Sequence, residues 1–160
     1  MARISRAIIG GAVGTALFTS MMYFVAPKMT GRAMDIAAML GSMMGGSWAL
    51  GMAAHLVNGI VVFPLIYILG VAPRLPGAPW LRGMMTGIAL WLIAQLVMLP
   101  AMGSGFFGAR AGGMPSVISA LLGHLVYGVV LGAVAGAPEE AGSPRDRSAT
   151  TSAFCPRSGG

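Results

Sequence analysis

Residues 115–136 read PSVISALLGHLVYGVVLGAVAG, an uncharged stretch that begins after Arg110 and ends before Pro138. A helix needs about 20 apolar residues to cross roughly 30 Å of hydrocarbon at 1.5 Å of rise per residue, so this stretch is long enough for one crossing. Three more stretches upstream share this property. The four predicted spans cover about 7–26, 48–70, 83–103 and 115–136. The sequence therefore predicts an all-α membrane protein with four transmembrane helices in a bundle.

The composition of the 160-residue chain agrees with this fold class. Hydrophobic residues make up 56% of it and charged residues only 9%, whereas about a quarter of a soluble domain is charged. An ordinary soluble enzyme is therefore excluded. The single cysteine, Cys155, excludes a disulfide scaffold and zinc modules with paired cysteines. The net charge of +6 comes from scattered basic residues and not from a basic face. We therefore expect the lipid bilayer as a partner and no nucleic acid.

Basic residues in the loops predict the orientation of the bundle, because Lys and Arg favour the cytoplasmic side of a membrane. With the N-terminus inside, the cytoplasmic segments hold seven of them, Arg3, Arg6, Arg74, Arg82, Arg145, Arg147 and Arg157. The outer segments hold three, Lys28, Arg32 and Arg110. Both termini are therefore predicted to be cytoplasmic.

The four spans form an internal duplication. Aligning the first span with the third places Gly10 on Gly83, Gly14 on Gly87 and Pro27 on Pro100. Aligning the second span with the fourth places HLVNGIV at 55–61 on HLVYGVV at 124–130. Both halves then cross the membrane in the same sense. This pattern predicts a parallel repeat of two tandem helical hairpins.

The duplication carries a histidine in each half, His55 and His124. At 1.5 Å per residue both would lie roughly 10 to 13 Å below the outer boundary, at one level of the bundle. An ionisable residue inside a membrane span is a candidate functional residue. One interpretation is a hydrogen bond from each imidazole to a neighbouring helix, with Asn58, Gln95 or Tyr127 as the expected partner. The other is a b-type haem held between the two imidazoles, which would make the protein an electron carrier.

Small residues share the histidine faces. Gly51 and Gly59 lie four residues to either side of His55, and Ala120 and Gly128 flank His124 in the same way. Such stripes allow membrane helices to approach closely. They would equally admit a flat ligand such as a haem.

Two further functional hypotheses, copper binding and transport, have less support from the sequence. Eleven of the 14 methionines lie in the outer half or the outer loops, and thioether and imidazole ligands suit Cu(I), although Met also fills irregular cores. These are Met21, Met22, Met29, Met34, Met39, Met43, Met44, Met52, Met98, Met102 and Met114. A transport function rests on the repeat alone, since many transporters are duplicated.

No catalytic constellation is present, so the sequence does not indicate an enzyme. Asp35 is the lone acid of the outer region, and the other three acids follow residue 137. No pair of carboxylates and no acid, histidine and nucleophile set can form near the histidines. Asp35 is predicted instead to cap a short outer helix, IAAML, at its N-terminus. Residues 138–160 have little apolar material and are predicted to be a disordered cytoplasmic tail.

The segments GSGFFG at 103–108 and HLVYGVVLG at 124–132, together with MDIAAMLGSMMG at 34–45, resemble an uncharacterised family of small bacterial multi-pass membrane proteins, a domain of unknown function. The resemblance covers about 10–136. It implies a bacterial inner-membrane location and a four-helix fold, and it supplies no activity. We therefore expect a structural or interaction component of the membrane, which pairs with a second copy or with other membrane subunits. Electron transfer through haem b is the alternative, and copper binding or transport has less support.

Overall fold

The computed structural model describes residues 2–31, 33–110 and 112–136. Four of its helices are long and apolar enough to cross a membrane, and a short helix lies between the first two. The helices are α1 (Arg3–Thr30), α2 (Ile36–Ser42), α3 (Trp48–Val71), α4 (Pro79–Ala101) and α5 (Gly113–Ala135). The described part of the chain contains no strand. The prediction of an all-α protein with four membrane-spanning helices is confirmed. The predicted tail, 138–160, lies outside the described residues.

Helix α5 lies at the centre of the bundle. It packs along α4 on one side and along α1 on the other, and α3 packs mainly against the far side of α1. The spatial order is therefore α3, α1, α5, α4, so that α1 lies between the two histidine-bearing helices. At the end where α3 leads into α4, Tyr67 Oη donates to the carbonyl of Pro79 at 3.2 Å and closes the bundle.

Glycine allows α4 and α5 to approach each other closely. A Cβ atom on Gly128 would lie 2.9 Å from Cα and N of Gly87, and nearer still to the carbonyl oxygen of Gly83. A Cβ atom on Gly132 would lie 2.8 Å from Cα of Gly83. The backbones of the two helices therefore touch, and dispersion between them supplies the attraction that the hydrophobic effect does not supply in lipid.

Each of four π-helical turns ends two residues before a proline. They span Met21–Val25, Asn58–Val62, Tyr67–Val71 and Ala94–Met98 and precede Pro27, Pro64, Pro73 and Pro100. Proline lacks an N–H, and its ring collides with the carbonyl four residues earlier. Widening the helix by one residue relieves both problems, as where the N–H of Phe63 reaches back five residues to the carbonyl of Asn58.

The loop between α1 and α3, named the outer loop after its predicted side of the membrane, contains the short helix that the sequence predicts. Asp35 is its N-cap and accepts a hydrogen bond from the N–H of Ala38 at 2.9 Å. Helix α2 then packs tightly on α3, because a Cβ atom at Gly51 would collide with the backbone of Ala37 and Gly41. The loop is therefore docked on the outer end of α3.

Candidate functional site

His55 on α3 bonds to α1. The hydroxyl of Thr19 donates to the carbonyl of Thr15 at 2.8 Å, and the same oxygen lies 2.8 Å from Nε2 of His55. Because the hydroxyl has one proton and has already donated it, Nε2–H of His55 must be the donor of the second bond. We infer that His55 is the Nε2–H tautomer, whose Nδ1 carries the lone pair.

His124 on α5 has the opposite tautomer. Its Nδ1 lies 2.7 Å from the carbonyl oxygen of Ala120, one helical turn earlier. A carbonyl only accepts, so Nδ1–H donates and Nε2 keeps the lone pair. His124 therefore satisfies one ring nitrogen within its own helix.

Phe18 on α1 contacts both imidazoles. Its ring centroid lies 5.9 Å from that of His55 and 4.9 Å from that of His124, with the second pair edge to face. Both histidines thus surround one phenylalanine on the helix that separates α3 from α5. A haem between them would have to displace Phe18 and break the bond from His55 to Thr19. Haem b remains a prediction.

The expected hydrogen-bond partners of the histidines are wrong. Tyr127 donates instead to the carbonyl of Gly59 at 2.8 Å, and the partners of the two imidazoles are Thr19 and the Ala120 carbonyl. The reason is the helix order at the level of the histidines. There α1 lies between α3 and α5, so that His55 meets Thr19 of α1 and His124 bonds within its own helix, whereas elsewhere α5 reaches α3 directly through Tyr127.

The small-residue faces hold helices and side chains. Gly128 contacts the backbone of α4, and a Cβ atom on Gly59 would collide with the hydroxyl of Thr15 on α1. Helix contacts therefore fill the stripes beside the histidines, and no room remains for a flat ligand on these two glycines.

No cluster of three or more His, Cys, Asp or Glu side chains that could hold a metal ion occurs among residues 2–31, 33–110 and 112–136. One methionine sulfur, that of Met29, accepts a hydrogen bond from Ser119 at 3.3 Å. Met34 and Met39 line a cavity near the outer loop. The copper hypothesis remains a prediction.

A lateral groove of about 650 Å³ lies between α1 and α3, a feature that sequence reasoning missed. Ala12, Ala16 and Ser20 of α1 lie along one wall, and Ala16 and Ser20 are exposed. Thr15 also lines the groove; it is 2% exposed and its Oγ1 has no hydrogen-bond partner among the described residues. The sequence signal is the spacing of four between the small residues Ala12, Ala16 and Ser20.

Asp35 closes the outer end of this groove. Its carboxylate accepts from Tyr23 Oη at 2.7 Å and from the indole N–H of Trp48 at 3.1 and 3.2 Å, besides the cap bond from Ala38. Partial burial pushes the pKa of Asp35 upward, but these hydrogen bonds to its charged form outweigh burial and hold the pKa below its ordinary value. The carboxylate is therefore ionised at neutral pH and ties the loop to α1 and α3.

A second cavity, of about 310 Å³, lies between the outer loop and the outer ends of α4 and α5. Gln95 lines it and is 2% exposed. The amide oxygen of Gln95 has no hydrogen-bond partner in the described part of the chain. Sequence reasoning considered Gln95 as a hydrogen-bond partner of a histidine on a neighbouring helix.

Comparison with known proteins identifies the family and no relative of known activity. No curated protein and no solved structure matches the chain. A family described as "Family of unknown function (DUF6789)" matches residues 1–145, which is most of the chain. The chain belongs to this family of unknown function.

Proposed function

We propose that this protein is an interaction component of the bacterial inner membrane that associates with a second copy of itself through the groove between α1 and α3. Its four apolar helices and the excess of basic residues in the segments assigned to the cytoplasm support the location. Both termini are cytoplasmic in this proposal.

We further propose that the bundle arose by duplication of a helical hairpin. The π-helical turns Met21–Val25 and Ala94–Met98 fall on each other in the same alignment that places Gly10 on Gly83. The second pair has diverged, because the position equivalent to Pro64 is Ala133 and α5 has no π-helical turn. The coincidence of the first pair supports the repeat beyond what apolar composition offers.

The main support for self-association is a face of small residues on α1 that lines the open groove. Elsewhere in the bundle, small residues spaced by four lie against another helix, as Gly83 and Gly87 do against α5. The face formed by Ala12, Ala16 and Ser20 instead lines the open groove. In lipid, helices associate chiefly where small residues allow close approach. This face is therefore the best place for another helix.

A second copy of the chain fits this face because of symmetry. In a two-fold dimer the same patch meets itself, so it must be complementary to its own shape. The stripe formed by Ala12, Ala16 and Ser20 meets that condition, since these three side chains are small. Ser20 at the outer end bonds back to the carbonyl of Ala16 at 2.8 Å, so its own hydroxyl donor is already paired.

Disulfide cross-linking in native membranes tests the proposal. In a Cys155→Ser background, Ala16→Cys should form a disulfide-linked dimer under mild oxidation, because the two copies of residue 16 face each other. Leu17→Cys is the matched control, since Leu17 is 42% exposed but does not line the groove. Equal cross-linking at both positions, or none at Ala16→Cys, would contradict self-association through this face. Ala16→Leu should also convert dimer to monomer in detergent.

The electron-carrier alternative has no such observation in its favour. Phe18 contacts both imidazoles, and Nε2 of His55, the nitrogen a haem iron would need, is bonded to Thr19. Of the two histidines, only His124 keeps an Nε2 lone pair for a ligand.

A further inference from the structure

Gln95 lines the second cavity, and its amide oxygen has no hydrogen-bond partner among the described residues. Gln95 belongs to the π-helical turn Ala94–Met98, about 9 Å below the outer end of α4 at 1.5 Å per residue. It is 2% exposed, and its amide oxygen accepts no hydrogen bond from the described residues. A buried amide without a partner is unfavourable, so a group that donates to it would be bound.

The other polar groups of the cavity are hydroxyls and one carboxylate. Ser104 of the loop between α4 and α5 and Ser116 of the first turn of α5 line it, and Ser116 is 8% exposed. Asp35 lines it from the side of α2. Among the described residues, Oδ1 of this carboxylate accepts from Tyr23, Ala38 and Trp48, whereas Oδ2 accepts from the indole of Trp48, so Oδ2 has the greater capacity for another donor. No lysine or arginine lines the cavity in the described part of the chain.

The carboxylate of Asp35 favours a positively charged donor. The hydroxyls and the amide can donate or accept, whereas the carboxylate only accepts, and an ammonium group offers three N–H donors and no acceptor. Among the described residues that line the cavity, no cation is present to offset the charge of Asp35 for an anionic ligand. The methyl groups and thioethers of Ala38, Met34 and Met39 add an apolar wall suited to a short carbon chain.

We propose that this cavity binds a small organic ammonium ion, with the charged nitrogen between the Gln95 amide oxygen and Asp35. The volume of about 310 Å³ equals that of about ten water molecules at about 30 Å³ each, enough for a compact amine. Helix α2 and its loop cover the cavity, so the ligand enters from the outer surface of the protein. The proposal does not depend on self-association, since Gln95, Ser104 and Ser116 line this cavity and not the groove.

Fluorescence titration of the full chain tests the proposal. The indole of Trp48 bonds to Asp35, and that of Trp91 bonds to the carbonyl of Val117 at 3.3 Å; both acceptors belong to cavity-lining residues. Ethanolammonium chloride, added at constant ionic strength and pH 7, should change tryptophan emission saturably. Glycerol and sodium acetate should not. No saturable response to ethanolammonium, or an equal response to glycerol, acetate or potassium chloride, would overturn the assignment.

Two variants locate the binding. Gln95→Met keeps the length of the side chain but removes the acceptor, and it should weaken the apparent affinity for ethanolammonium at least tenfold. Ser116→Ala is a smaller change, and it serves as the test if Gln95→Met does not fold. It should weaken the apparent affinity for ethanolammonium at least threefold. Asn58→Met, at a position in α3 that lines neither cavity, is the control and should titrate like the wild type. The proposal would be refuted if Gln95→Met bound ethanolammonium with wild-type affinity. If Gln95→Met does not fold, wild-type affinity in Ser116→Ala would refute it instead.

Discussion

The contact between α4 and α5 makes a sharp prediction at Gly128. The Cβ atom of an alanine there would lie 2.9 Å from Cα and N of Gly87 and nearer to the carbonyl oxygen of Gly83, whereas an ordinary contact is 3.4 Å or more. All three obstructing atoms belong to the backbone, so no side chain can rotate away. The two helices must therefore move apart, and the neighbouring contact at Gly132 opens with them.

The expected cost of Gly128→Ala is about 1 to 3 kcal/mol of unfolding free energy, the range for overpacking a close-packed interior. Gly70→Ala is the matched control, because Gly70 is also in a helical turn near the end of a span, but a Cβ atom added there would have no neighbouring atom within 4 Å. Gly70→Ala should raise the unfolding free energy by about 0.5 to 1 kcal/mol, since glycine loses more backbone entropy on folding than alanine does.

The two substitutions should therefore move stability in opposite directions. Reversible unfolding in mixed micelles of increasing SDS fraction, followed by circular dichroism, measures both. If Gly128→Ala were as stable as Gly70→Ala, the close approach of α4 to α5 and the assignment of glycine to this contact would be wrong.

Three other predictions concern polar groups. Hydrogen bonds hold the pKa of Asp35 below its ordinary value of 3.8, so their contribution to stability should be complete above that pH and be lost as the pH falls through the lower folded pKa. Trp48 emission should follow this loss, and the pH-dependent change in emission should be absent in Asp35→Asn. In the absence of ligand, Gln95→Met should raise the unfolding free energy by about 1 to 3 kcal/mol, since it removes an unsatisfied buried amide; a lower melting temperature would contradict this. Purified protein should lack haem bands in its reduced-minus-oxidised visible spectrum, and bands that vanish in His55→Ala or His124→Ala would restore the haem alternative.

The membrane-spanning architecture and the short helix that Asp35 caps could be predicted from sequence, because each depends on a local pattern. An uncharged stretch long enough to cross the bilayer excludes other structures by the cost of exposing backbone groups to lipid. An aspartate before an apolar run satisfies free N–H groups at a helix start wherever that helix lies. Neither argument needs to know which helix is the neighbour of which.

The surroundings of the histidines could not be predicted, because they depend on helix order. Tandem hairpins suggest that equivalent helices meet, yet α1 lies between α3 and α5 and brings Phe18 and Thr19 to the imidazoles. A proline disturbs a helix, but its position alone does not predict that the disturbance before Pro64 takes the form of a π-helical turn. Helix packing is a property of the whole bundle, and when the apolar faces of the helices are of similar width, the sequence is compatible with several spatial orders of the helices.

Most polar side chains inside the spans satisfy themselves locally, and the exceptions coincide with empty space. Thr19 and Thr86 donate to carbonyls one turn earlier, as does the imidazole of His124. Among the described residues, the buried and unpaired side-chain atoms outside the arginines are Thr15 Oγ1 and Gln95 Oε1. Thr15 lines the groove and Gln95 lines the second cavity. In an apolar solvent a polar group without a partner is costly, so its retention beside a cavity is best explained by something that enters the cavity. The groove and the second cavity, the two proposed binding sites, therefore each adjoin an unpaired polar atom.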